Sequence, residues 1–245
     1  MEKHTDIYTQ KVINLLIRRR KELGLTQIEL AKRTGLPQST IERLETHQLH
    51  IRLDTLMKII TVLNLDLAFL NNERLETKRL FLRKLTIDDA QAMFDGWCND
   101  PEVTKYLTWN PHENVEVTKN ILSLWIKNYD NPETIKYGIC IKGSEELIGS
   151  IDVVKYRDGN PEIGYCLSRK HWNKGYMSEA LNRLTDYLFN IGFNKIIIEA
   201  DVDNIGSNRV IEKCGFKFVR QETLNHFSLN KPKPVTVNWY EKNNK

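Results

Sequence analysis

The segment Ser168–Leu181, SRKHWNKGYMSEAL, places two lysines and a glycine between an apolar, strand-like run, Ile163–Leu167, and a run with helical periodicity, Met177, Ala180, Leu181, Leu184, Tyr187 and Leu188. A strand that opens into a helix through such a turn leaves the first helical N–H groups unpaired. The helix dipole adds partial positive charge there, so the turn suits a phosphate or pyrophosphate. Lys170 and Lys174 bring mobile positive charge, and Gly175 removes a side chain where an anion must approach the backbone. Taken alone, the pattern fits an ordinary connection with solvated lysines better than an anion site. A second segment, DVDNIGSNRVIEKCGF (Asp201–Phe216), follows it and bears on the choice.

The elements that must position these residues divide the chain in two. The first seventy residues read as helical. Ile13, Leu16, Ile17 and Leu23 space one apolar face, and Gly24 ends that helix. Thr26 with Glu29 three residues on forms a capping box for a helix through Leu30 and Arg33. Gly35 breaks the chain, Pro37 opens another helix through Ile41 and Leu44, and a further helix covers Leu53–Val62. Two short helices around a glycine-containing turn are the layout of a helix-turn-helix. The polar stretch Asn71–Thr77 reads as a boundary, which predicts a small all-α domain over residues 1–70, a linker over 71–77 and a second domain over 78–245. In the second domain strands alternate with helices: Leu80–Leu85, Lys136–Ile141, Leu147–Lys155, Glu162–Leu167, Lys195–Asp201, Phe216–Arg220 and Val235–Tyr240 are strand candidates. Asn225–Pro234 reads as a surface loop.

Composition fits a soluble globular protein, with 40% hydrophobic and 28% charged residues. No apolar run reaches the length of a membrane span, and the N-terminus lacks a signal peptide's apolar centre. The four cysteines show no C-x-x-C and no histidine at metal spacing, so they read as free thiols of a reducing cytosol, and the expected location is cytoplasmic. Residues 1–72 hold 11 Lys and Arg against 8 Asp and Glu, whereas residues 73–245 hold 25 against 24. The surplus in the helical part is mild evidence for an anionic partner there.

GLTQIELAKRTGLPQSTIERLE (Gly24–Glu45) resembles the phage-repressor-like (Cro, XRE) DNA-binding family, and Arg52–Leu65 is similar to that family's fourth helix. The resemblance implies DNA binding as two-fold dimers, with Gln38, Ser39 and Arg43 facing bases and Thr26 and Gln27 on phosphate. A helical module for protein contacts that keeps the fold is the alternative.

Separated segments of the second domain, in order, resemble the GNAT N-acetyltransferase family and its ribosomal-protein N-terminal acetyltransferase subgroup: Glu76–Ala90, Asn99–Trp109, Glu145–Val154, Pro161–Leu167, Ser168–Leu181 and Asp201–Phe216. The resemblance implies an α/β (α+β) acyl-CoA N-acyltransferase fold with a mixed, splayed sheet, and acetyl-CoA as co-substrate. It further implies that Tyr165, Cys166 and Leu167 pair with pantetheine, that amides of Asn173, Lys174, Gly175, Tyr176 and Met177 hold the pyrophosphate, and that Asn204 reaches the pantetheine arm. Two departures stand out. The turn reads W-N-K-G-Y-M where the family has Q/R-x-x-G-x-G/A, and Ile211 stands where many members have a tyrosine that protonates the departing thiolate.

An amine acceptor must lose a proton before it attacks, since an α-amine has pKa about 8 and a lysine amine about 10.4. Glu162 is the candidate base, with pairing to a lysine on a neighbouring strand as the alternative role, and Ser207 is the candidate hydrogen-bond donor to the thiolate. Trp109 is the candidate to line the acceptor pocket. No metal is expected, and Cys166 without a nearby histidine argues against an acyl-cysteine intermediate. The reading is direct acetyl transfer to a primary amine, a peptide N-terminus or a small molecule, coupled to DNA binding. A regulator whose GNAT-like domain senses acyl-CoA without turnover is the rival.

Overall fold

A computed structural model describes residues 9, 12–13, 16–17, 19–46, 48, 51–65, 74–131, 133–225 and 234–244. Apart from the segment 187–193, the chain divides between residues 72 and 73 into two compact units.

In the first unit, helical residues before Gly24 are followed by α1 (Gln27–Thr34), α2 (Gln38–Glu45) and α3 (Leu53–Val62). The expected capping box starts α1: the Thr26 hydroxyl accepts from the Glu29 N–H at 3.1 Å, and the Glu29 carboxylate accepts from the Thr26 N–H at 2.7 Å. Gly35 then takes φ 68°, a left-handed conformation that lets α1 stop and α2 start at once. Ile13, Leu16, Leu30, Ile41, Leu44, Ile59 and Leu63 are all buried in one core, each such burial stabilising by about 1.5–3 kcal/mol. Under this core lies a bidentate ion pair. Arg20 donates from Nε and Nη2 to the two Glu45 oxygens at 2.6 and 2.8 Å, and from Nη1 to the Leu25 carbonyl at 2.6 Å.

The second unit is built on an eight-stranded sheet in the order β1-β2-β3-β4-β5-β6-β8-β7. Its strands are β1 (Arg74–Glu76), β2 (Leu80–Arg83), β3 (Lys136–Ile141), β4 (Leu147–Arg157), β5 (Asn160–Leu167), β6 (Lys195–Asp201), β7 (Lys217–Leu224) and β8 (Val235–Asn243). Every neighbouring pair is antiparallel except β5 and β6, which run parallel. Between them come α4 (Ala90–Met93), a π-helical turn at Phe94–Cys98, α5 (Pro101–Thr104), α6 (Val115–Lys127), α7 (Tyr176–Asn190) and α8 (Ile205–Lys213). One face of the sheet is sealed by Phe81, Cys140 and Leu147 packing with Ala90, Met93, Trp97 and Leu122.

Three expectations change. Arg74–Glu76 belong to the sheet as β1, not to a linker: their polar side chains conceal backbone pairing with Phe81–Arg83. β4 and β5 run up to a tight turn with φ 49° at Asp158 and 76° at Gly159, so polar Arg157 and Asn160 are paired strand residues. β7 and β8 likewise extend beyond their apolar centres. Most of the loop read at Asn225–Pro234, residues 226–233, lies outside the described residues.

Glu45→Ala should lower the stability of the helical unit by about 3–5 kcal/mol, because it strands the buried Arg20 charge. Urea unfolding followed by far-UV circular dichroism checks this, and Arg20→Met with Glu45→Leu together should lose far less.

Candidate functional site

The turn after β5 has the shape the sequence suggested. Asn173 and Gly175 take φ 59° and 76°, and α7 begins at Tyr176. Alternating left-handed residues at a helix start turn successive N–H groups toward one concavity, an anion nest. The Trp172 indole donates to the Leu167 carbonyl at 2.8 Å and pins the turn to the end of β5. Lys174 and Lys170 are both exposed, and the Lys170 ammonium pairs with Glu146 at 2.6 Å. Met177 is buried, so only its backbone can face the nest.

Arg79 reaches this turn from the start of the sheet domain. It donates to the Lys174 carbonyl at 3.0 Å and to Glu179 at 2.7 Å, and lies 4.6 Å over the Tyr176 ring. A Cβ on Gly175 would sit 3.4 Å from Nη2 of Arg79. Sequence reasoning missed Arg79, because nothing local connects two segments so far apart in the chain.

β5 and β6 share a single bridging pair, Glu162 with Ile197. Beyond it β5 keeps β4 on one side, from Ile163 to Leu167, and has no paired β6 residue on the other. Tyr165 points to α8, where its hydroxyl meets the Ser207 hydroxyl at 2.8 Å. Burial pushes the Tyr165 phenol above its ordinary pKa, so it stays neutral and can donate. Asn204 is the N-cap of α8, its side-chain oxygen accepting from the Ser207 N–H at 3.1 Å. Ile211 is fully buried. Cys166 points to the opposite face, 3.3 Å from the Ser150 hydroxyl, and burial pushes its thiol up to about 11, which keeps it a thiol.

Glu162 is 2% exposed, and both of its oxygens are engaged: Oε2 by Arg157 and Oε1 by Lys155 at 3.1 Å. Of the two roles read for it, pairing with a lysine on a neighbouring strand is the one the geometry contains. Glu199, on β6, approaches the same cations at 3.8 Å (Lys155) and 3.6 Å (Arg157). Burial first, and the Glu162 charge second, raise the Glu199 pKa above the ordinary carboxylate value. Trp109 is half-buried against the cluster around Trp97 that also receives Cys166, and it lies 5.1 Å from the His112 ring.

In the helical unit, Gln38, Ser39, Glu42 and Arg43 form the exposed row of α2, opposite buried Ile41 and Leu44. Gln38 donates to Glu42 at 2.7 Å. The Gln27 amide turns inward and donates to Glu45 at 2.8 Å, adding to the ion pair beneath the core. Thr26 spends its hydroxyl on the cap.

A mixed sheet that parts between its parallel strands beside an anion nest, preceded by a helix-turn-helix, defines a two-part acyltransferase architecture. Residues 79–217 match the acetyltransferase (GNAT) domain family and residues 16–70 match a helix-turn-helix family. The chain belongs to the GNAT acetyltransferase family. It is 32% identical to the uncharacterized N-acetyltransferase YoaA of Bacillus subtilis, over 68% of this chain and 94% of that protein. Among solved structures it is similar to a GNAT acetyltransferase from Bacillus anthracis, with TM-score 0.60 and 26% identity over 69% of this chain and 98% of that one. The microcin C7 self-immunity acetyltransferase MccE, solved with acetyl-CoA and AMP, shares the fold at TM-score 0.60 and 20% identity, over 69% of this chain and 94% of that one. No helix among the described residues is long and apolar enough to cross a membrane.

Glu179 holds the turn through bonds from the Thr77 hydroxyl and from the N–H and guanidinium of Arg79. Burial opposes its ionisation, yet these donors outweigh it and leave its pKa below the ordinary value. A depressed carboxylate pKa stabilises the fold above the unfolded-state value, and that contribution is lost as pH falls through the folded one. Glu179→Gln should therefore flatten the acid limb of stability against pH, measured as denaturant midpoints from neutral pH downward.

Proposed function

We propose that the protein transfers acetyl from acetyl-CoA directly to a primary amine, and binds DNA through its helix-turn-helix domain. The parting of β5 and β6 immediately before the nest carries the first half. The open edge of β5 at Tyr165–Leu167 offers backbone groups to an extended pantetheine arm, as a further strand would be offered them. The amides of Asn173 to Met177 face the pyrophosphate, with Lys174 beside it and the Arg79 guanidinium holding the turn's shape. The acetyl-CoA seen with MccE supports this ligand for the shared fold.

In the reaction the amine nitrogen attacks the thioester carbonyl carbon, the C–S bond breaks, and the sulfur leaves as a thiolate that must be stabilised or protonated. The hydroxyl pair of Ser207 and Tyr165 is the group in place to donate, taking the role that Ile211 cannot fill. Cys166 takes no part, because its thiol stays protonated. The saturated Glu162 and the missing tyrosine favour the second reading, a sensor that binds acyl-CoA without turnover. Release of free thiol from acetyl-CoA with a panel of amines separates the two.

Gly175→Val should raise the acetyl-CoA dissociation constant by at least about tenfold, since a β-branched residue resists φ 76° and brings a side chain to the turn. Lys174→Ala should weaken binding less, with an effect that fades in salt. Calorimetry on the full chain checks both, and unaltered binding by Gly175→Val removes the pyrophosphate from this turn.

For DNA, the exposed row of α2 supports base reading, with glutamine suited to adenine and arginine to guanine. A two-fold dimer on inverted half-sites is the expected arrangement. Arg43→Ala should weaken the selected site by about 1–3 kcal/mol and relax one base position. Selection from random DNA with the full-length protein is the measurement. Enrichment of no motif at low salt makes residues 16–70 a protein-contact module.

A further inference from the structure

Among the described residues, four buried side-chain polar atoms lack a hydrogen-bond partner: Nδ1 of His171, Oγ1 of Thr185, Oε2 of Glu199 and Nε1 of Trp239. The last two belong to residues paired directly across β6 and β8. Paired residues of antiparallel strands present their side chains on the same face, with Cβ atoms about 4.5–5.5 Å apart. One of these atoms can only accept and the other can only donate. Leaving either unsatisfied costs about 1–3 kcal/mol, so two such atoms on residues paired across one face of the sheet point to a ligand that carries both complements.

The surroundings narrow the ligand further. Glu199 lies on the strand that parts from β5, two residues beyond the bridging pair, on the side where the gap opens. The Trp239 ring is fixed between two guanidiniums, Arg157 at 4.5 Å and Arg220 at 4.6 Å from its centre. Arg157 is half-exposed and anchored by Glu162, and it approaches Glu199 Oε2 only to 3.6 Å, without a hydrogen bond. Glu162 thus acts as a positioning group: it takes the close contact from Arg157 and leaves Glu199 Oε2 with an ion pair but no hydrogen bond.

We infer that Glu199 and Trp239 form the acceptor site, with Glu199 Oε2 receiving the amine and the Trp239 indole N–H donating to an oxygen of the same molecule. The inference rests on the acetyl-transfer reading and deepens it by naming the substrate class: primary amines with a neighbouring carbonyl or hydroxyl. A peptide α-amine with its first carbonyl has this chemistry, as does a 2-amino sugar. Polyamines and lysine side chains lack the oxygen and are disfavoured. A buried donor left without its acceptor is what makes such a site reject the deoxygenated analogue. The raised proton affinity of Glu199 suits it to take the proton that the ammonium must lose before attack.

The test is thiol release by the full-length protein at saturating acetyl-CoA, with alaninamide and glucosamine set against isopropylamine, cyclohexylamine and spermidine. The wild type should use an oxygen-bearing amine with kcat/KM at least about tenfold above its deoxygenated counterpart. Preference for alaninamide assigns a peptide N-terminus, and preference for glucosamine an amino sugar. Trp239→Phe keeps the ring and removes the donor. It should raise KM for the preferred amine about tenfold, so that the preference over its counterpart collapses, and leave acetyl-CoA affinity intact. Comparing the two proteins cancels differences in amine basicity. Equal use of spermidine or isopropylamine by the wild type overturns the inference, as does an unchanged preference in Trp239→Phe, while acetyl transfer itself stands. Bound acetyl-CoA with no thiol release from any amine overturns the transfer reading and this inference together.

Discussion

The second domain depends on two parallel strands that start together and do not stay together. β5 and β6 meet at Glu162 and Ile197 and pair nowhere else. A central strand with an unpaired edge is a liability in most sheets, because its N–H and C=O groups must find partners. Here the edge is supported from every other direction. β4 pairs with the full length of β5, β8 pairs with the full length of β6, and the Tyr165–Ser207 bond links β5 to α8 across the opening. The gap is held open by elements that are themselves well paired.

Charge is arranged around the narrow end of that gap. Two carboxylates on neighbouring strands, Glu162 and Glu199, face two cations from the β4 end, Lys155 and Arg157. The sharing is unequal. Glu162 takes the close contacts and Glu199 the distant ones, so two residues of the same type are left with different chemistry. A bulge between Val153 and Lys155 changes the register of β4 just before it delivers both cations. Without that extra residue Lys155 would fall on the opposite face, since side chains alternate along a strand.

Much of this was legible in the sequence. The capping box at Thr26 and Glu29, the glycine break at Gly35 and the apolar spacing of Ile41 and Leu44 are local signals, and they are where local rules place them. The strand-turn-helix at Ser168–Leu181 is local too, and its left-handed residues follow from an asparagine and a glycine two apart. What the sequence hid is non-local or polar. β1 is concealed by charged side chains, the extension of β4 and β5 by polar residues near their turn, and the inward rotation of Gln27 by a partner on another helix. Glu162 could be named as a carboxylate near the cleft, but its saturation could not, because Lys155 and Arg157 reach it only once the β4–β5 hairpin has formed. Glu199 and Trp239 carry no motif at all; they become a pair through strand register.

The tie between Arg79 and the turn before α7 has a kinetic consequence. A turn that looks self-contained is completed by an arginine and a threonine from the domain's opening strands, contacting Lys174 and Glu179. Closing so long a loop is entropically slow relative to forming the helix itself. On a growing chain the first strands emerge well before the turn they will support, and Arg79 waits for its partners until α7 has been made. The nest therefore reaches its final shape only after most of the domain has been synthesised. Completion of this turn is a late event of folding, and it marks a chain whose opening segment and α7 have already found each other.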